Sequence, residues 1–86
     1  MNIYVTNAEY IDRYNIKVSF NDGTSQVVDF GKFLLEYPHP QYNKYKDLER
    51  FKEFRIDSGE LVWGKDWDLS FHTASLYNND LFNNYE

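Results

Sequence analysis

The stretch Tyr14-Asn15-Ile16-Lys17-Val18-Ser19-Phe20, followed by Asn21-Asp22-Gly23 and then Thr24-Ser25-Gln26-Val27-Val28-Asp29-Phe30, decides the fold. Tyr14, Ile16, Val18 and Phe20 take every second position, with Asn15, Lys17 and Ser19 between them. That alternation describes a strand with one dry and one wet face. Asn-Asp-Gly is a strong hairpin signal, and the strand after it selects the loop. A two-residue Asp-Gly loop sets Ile16 opposite Asp29 and mixes the faces. A three-residue loop, with Gly23 left-handed and closing a bulge, pairs Ile16 with Val28 and Tyr14 with Phe30. Because a slip of one residue reverses every side chain, the second register is the one expected.

Upstream, Ile3 and Val5 alternate with Tyr4 and Thr6, the pattern of another strand, which ends in a turn near Ile11-Asp12-Arg13. Downstream, Phe33 and Tyr37 stand at helical spacing in a one- or two-turn helix stopped by Pro38. Pro38-His39-Pro40-Gln41 then reads as an extended loop. A second short helix over 44–52 would set Tyr45, Leu48 and Phe51 on one face. Phe54 to Asp57 and Glu60 to Trp63 flank Ser58-Gly59 as a two-residue hairpin, with Ile56 facing Leu61 and Phe54 facing Trp63 on the core side. Arg55 and Val62 fall on the opposite face. Ser70 is the expected cap of a closing helix from Phe71 to Tyr77, with Leu69 and Ala74 as its hydrophobic staple and Leu76, Tyr77 and Leu81 docking it on the sheet.

These elements give an α+β domain with a small antiparallel sheet of about five strands built from hairpins. Two short helices lie in the middle and a C-terminal helix packs on the sheet. The chain of 86 residues is read as one domain over 1–82 with a frayed tail at 83–86. Its core is aromatic, drawn from seven Phe, eight Tyr and two Trp; each such side chain buries about 150–250 Å².

Composition narrows the functions. No cysteine is present, which excludes thiolate nucleophiles and Cys-based zinc sites. The net charge of −5, from 14 acidic and 9 basic residues, argues against nucleic acid, because phosphate binding uses clustered Lys and Arg. The densest basic stretch, Lys44 to Lys52, interleaves Asp47 and Glu49 and reads as a solvated face. No leader pattern and no run of roughly 18 apolar residues is present, so a soluble cytoplasmic protein is expected.

Across the chain the order is Phe20, Asp22, Gly23; Val28, Asp29, Phe30; a looser Leu48 and Phe51; then Trp63, Asp68, Leu69, Ser70, Leu76 and Tyr77. This order and spacing, over roughly Val5 to Tyr77, resembles the small bacterial DUF2442 family. The resemblance implies a compact α+β domain with no assigned activity. Some relatives look like one half of a small two-gene pair, a setting that implies a partner of toxin–antitoxin type. Relatives tend to follow the serine with Pro-Glu, whereas Phe71-His72 stand here, which changes the surface at that corner.

Residue chemistry offers two main classes of function, beside a single-stranded nucleic-acid binder that would stack bases on its aromatics and need a basic groove among the tyrosines. The first is a non-enzymatic module with a protein partner or a homodimer, the latter by pairing of free sheet edges. The second is a small enzyme or ligand-binding domain. In it Asp68 and His72 supply acid–base chemistry, and Tyr42, Tyr45 and Trp67 line a groove. The competing structural readings are that His72 is an ordinary surface residue and that Asp68 accepts backbone amides at a strand-to-helix corner. No catalytic set, metal site or cofactor is expected, and the interaction module is the preferred class. Trp67, Asp68, Phe71 and His72, with Tyr42 and Tyr45, are the candidate contact residues.

Overall fold

The computed structural model describes residues 2–36 and 39–82. The deciding stretch forms β2 (Asn15–Phe20) and β3 (Ser25–Asp29), preceded by β1 (Val5–Asp12). The register is the expected one: Ile16 pairs with Val28, and the Phe30 amide donates to the Tyr14 carbonyl at 3.0 Å. Gly23 has φ +88°, and the Phe20 amide reaches the Thr24 carbonyl at 2.9 Å across a three-residue loop. Ile16, Val18, Phe20 and Val28 are all buried.

Asp22 does more than shape this turn. Its carboxylate accepts the Thr24 hydroxyl at 2.6 Å and amide at 3.0 Å, and the Tyr77 hydroxyl at 2.6 Å. The Thr24 hydroxyl, then that of Tyr77, hold its pKa below the ordinary 3.8. A depressed folded-state pKa stabilises fully above the unfolded value and is lost as pH falls through the folded one. The stability difference between the protein and an Asp22→Asn variant is therefore expected to narrow as urea melts are taken below pH 3.8. A difference constant through that range would contradict this role.

The second half holds β4 (Arg55–Asp57), β5 (Glu60–Trp63) and β6 (Leu69–Ser70). Ile56 pairs with Leu61 and Arg55 with Val62, as expected, but Ile56, expected on the core side, is exposed. The strand total differs: six strands form two three-stranded sheets, β1-β2-β3 and β4-β5-β6. The extra strand comes from the segment read as a helix cap. Trp63 pairs with Leu69 and Val62 with Ser70, around a turn in which the Trp67 amide meets the Gly64 carbonyl at 3.1 Å. Ser70 is therefore a strand residue, and α3 starts later, at Thr73–Tyr77. Ala74 is exposed, so the expected staple with Leu69 does not form. The Val5 amide donates to the Gly59 carbonyl at 2.8 Å and sets the two sheets edge to edge.

Val62 is fully buried although it faces away from Leu61 and Trp63. Its neighbours on that face explain this. The Arg55 guanidinium donates to the Gly64 carbonyl at 2.7 Å and pairs with Asp57 at 3.6 Å, and the Trp67 indole donates to Asp57 at 3.1 Å. Together these side chains close over the outer face of the second sheet.

α1 (Gly31–Glu36) turns Phe33 and Leu34 inward; Tyr37 and Pro38, expected to end this helix, lie outside the described residues, as does the tail 83–86. From His39 the chain makes a turn rather than an extended loop, the His39 carbonyl accepting the Tyr42 and Asn43 amides at 3.1 and 2.8 Å. The single helix expected over 44–52 is two pieces, a 3-10 turn at Asn43–Lys46 and α2 at Leu48–Phe51. Asp47, extended at ψ 118°, breaks it, and its carboxylate caps α2 by accepting the Glu49 amide at 3.2 Å. The break rotates Leu48 out of line, so Tyr45 and Phe51 are buried while Leu48 is exposed. At the centre lies Trp63, ringed by Phe30, Phe51, Phe54 and Phe71 at 5.3–6.2 Å. Among the described residues no helix is long and apolar enough to cross a membrane.

Candidate functional site

The corner from Trp63 to His72 is where the sequence concentrates its unusual residues, and the structure disperses them. Phe71, expected on the surface, is only 8% exposed and packs on Phe30 and Phe33 at 5.2 and 4.9 Å. Its burial follows from β6, which points the next residue into the core instead of out along a first helical turn. Tyr45, expected in a surface groove, is likewise buried. Tyr42 is half-buried, stacked on His39 at 5.1 Å and tilted on Phe33 at 5.3 Å. His72 is exposed just ahead of α3, where its backbone carbonyl accepts the Ser75 and Leu76 amides.

Asp68 is brought together with Tyr45, but for a structural purpose. Its carboxylate pairs with Lys44 at 2.9 Å and lies 3.4 Å from the Tyr45 hydroxyl, while its backbone carbonyl accepts the Gln41 side-chain amide at 2.8 Å. The side chain thus ties the 39–45 segment to the β5–β6 turn instead of accepting backbone amides at a helix start. The Asp68 hydrogen bond raises the Lys44 pKa, and burial raises that of Tyr45. Gly64 lies against the same pair, where an added Cβ would stand 2.7 Å from the Asp68 carboxylate and 2.8 Å from the Tyr45 oxygen. Trp67, half-buried at φ +56°, is held by Asp57. With Asp68 engaged by Lys44 and Tyr45, the pairing with His72 that acid–base chemistry needs is not among the contacts of the described residues. Nor do those residues contain a group of three or more His, Asp or Glu placed to hold a metal ion.

The open surface lies elsewhere. Between α1 and α2 is a cleft of about 550 Å³ lined by the buried Gly31 and half-buried Tyr14, by the exposed Lys32, Leu35 and Glu36 of α1, and by Arg13 and Leu48. Leu35 is 61% exposed, more than any other large apolar side chain described, and Leu48 is 37% exposed. Both walls are anchored, because the Tyr14 hydroxyl donates to the Lys46 carbonyl and Asp29 accepts the Gly31 amide at 2.9 Å. A second, smaller cleft of about 400 Å³ shares Asp29 and Lys32 with the first and continues the surface to Val27 and Phe82, both exposed. Sequence reasoning missed this face. Its signal was present in α1: with Phe33 and Leu34 inward, Lys32, Leu35 and Glu36 must share the outer side.

No curated protein and no solved structure matches the chain. The family model described as protein of unknown function DUF2442 matches residues 5–80, which contain all six strands, the three helices and the cleft. The chain belongs to the DUF2442 family.

Proposed function

We propose that the protein is a non-enzymatic interaction module that docks a protein partner on the α1–α2 cleft. The observation that carries this reading is the exposure of Leu35 and Leu48 together in one anchored cleft. Leucines exposed singly need no explanation, whereas Leu35 and Leu48 line one cleft together with Arg13, Lys32 and Glu36, which supports a contact surface there. Fully burying an exposed leucine side chain stabilises by about 1.5–3 kcal/mol, and a partner covering Leu35 and Leu48 gains the part of this that their remaining exposure represents. A bacterial cytoplasmic setting belongs to the same proposal on the strength of the family resemblance, and the class of partner takes in a co-encoded protein of toxin–antitoxin type and a second copy of the chain. The rival reading, a small enzyme using Asp68 and His72, is less favoured because Asp68 is occupied by Lys44 and Tyr45.

The test is a comparison of the protein with its Leu35→Asp variant. Because Leu35 is exposed, the variant should unfold within about 0.5 kcal/mol of the parent. Expressed at native level in its host, the parent should be recovered in a complex larger than the chain, and the variant should be recovered without it. Recovery of the same complex with the variant, or of the parent always alone, would sink the proposal.

A further inference from the structure

We infer that the α1–α2 face docks a second copy of this chain, as a two-fold dimer with the two α1 helices antiparallel. This rests on the reading of the cleft as a contact surface and specifies what covers it. Lys32, Leu35 and Glu36 stand at i, i+3 and i+4 and share the outer side of α1, all exposed. A cation and an anion one turn apart, with an exposed leucine beside them, match their own reversed copy. When α1 meets its symmetry mate head to tail, Lys32 of each copy faces Glu36 of the other. The two Leu35 side chains meet near the axis, each entering the other's cleft beside Leu48. An isologous interface requires this self-complementarity, and a face of a single sign cannot supply it.

Charge balance favours the same occupant. Two copies of a chain with net charge −5 repel over most of their surfaces. In the cleft the signs balance, since Arg13 and Lys32 are matched there by Asp29 and Glu36. Among the described residues neither Lys32 nor Glu36 has an ion-pair partner within the chain, so both are available to a second copy. The alternative route to a dimer, strand addition at β3, meets an occupied edge. The Asn79 side chain donates to the Val27 carbonyl at 3.2 Å, and Gln26 reaches across to the Tyr77 carbonyl at 3.0 Å.

Sedimentation equilibrium on the full chain tests the inference through a charge swap. The parent should show a monomer–dimer equilibrium. Lys32→Glu alone and Glu36→Lys alone each place two like-charge contacts across the axis and should weaken the dimer by roughly tenfold or more. The double variant restores both pairs with reversed sign and should return the dissociation constant to within about threefold of the parent. Thermal melts of the four proteins show that each is folded. A monomeric parent at every concentration, or a double variant no stronger than the singles, overturns the dimer. If the parent is monomeric yet Leu35→Asp still abolishes the complex recovered from the host, the interaction module stands with a different partner, so the two proposals fail separately.

Discussion

Trp63→Ala is expected to leave the protein without a fixed tertiary structure at 25 °C. A domain of this length has a stability of about 4–13 kcal/mol, at roughly 0.05–0.15 kcal/mol per residue. Truncating a buried tryptophan to alanine costs about 3–5 kcal/mol through lost transfer energy and the cavity left behind. At this position a second loss adds to it. The Trp63 indole donates to the Phe51 carbonyl at 2.7 Å, at the end of α2, and leaving that buried acceptor unpaired costs about 1–3 kcal/mol more. The cavity would open among Phe30, Phe51, Phe54 and Phe71, so the rings contributed by α2, the α2–β4 junction, the β3–α1 junction and the β6–α3 junction would lose their common neighbour. Near-UV circular dichroism and urea titration measure the outcome. Trp63→Phe separates the two terms: it keeps a ring in the core but removes the donor, and should fold with a lowered urea midpoint. A Trp63→Ala protein that melts cooperatively near the parent midpoint would show that Trp63 is not the centre of the core.

Gly64→Ala is expected to lower the melting temperature by on the order of 10–20 °C, given about 4–8 °C per kcal/mol for a domain of this size. Two costs combine. At φ +87° an L side chain is disfavoured by about 1–2 kcal/mol. The added methyl would also lie 2.7 Å from the Asp68 carboxylate and 2.8 Å from the Tyr45 oxygen, distances that neither can accept in place. Tyr45 is buried, so the displacement falls mostly on Asp68 and on its links to Lys44 and the Gln41 side chain. Gly23→Ala is the matched control. Gly23 has almost the same φ, +88°, but nothing lies within 4 Å of its added Cβ. Its melting temperature should fall only by the backbone cost, and the difference between the two variants measures how firmly the 39–45 segment is tied to the β5–β6 turn. Equal losses would mean that Asp68 and Tyr45 yield freely.

What the sequence disclosed was local. The β2–β3 and β4–β5 hairpins, with their registers, follow from alternation and turn chemistry that lie within a few residues of each other, and both hold in the structure. β6 was hidden because a strand of two residues has no period to detect, and because Ser70 is equally suited to capping a helix. That one substitution of strand for helix start moved Phe71 from the surface into the core. Leu48 was misplaced for a related reason. Three-residue spacing from Tyr45 through Phe51 marks one face only on an unbroken helix, and Asp47 interrupts the phase. The cleft was illegible because its residues come from the β1–β2 turn, the ends of β2 and β3, α1 and α2, and only the fold brings them together.

The proposed contact surface is the α1–α2 cleft and not the Trp67–His72 corner. Hydrogen–deuterium exchange tests it most directly, comparing the free chain with the chain in its native assembly. Added protection is expected over Gly31–Glu36 and around Leu48, with the 67–72 segment unchanged. Protection confined to 67–72, with α1 exchanging at the same rate in both states, would contradict it.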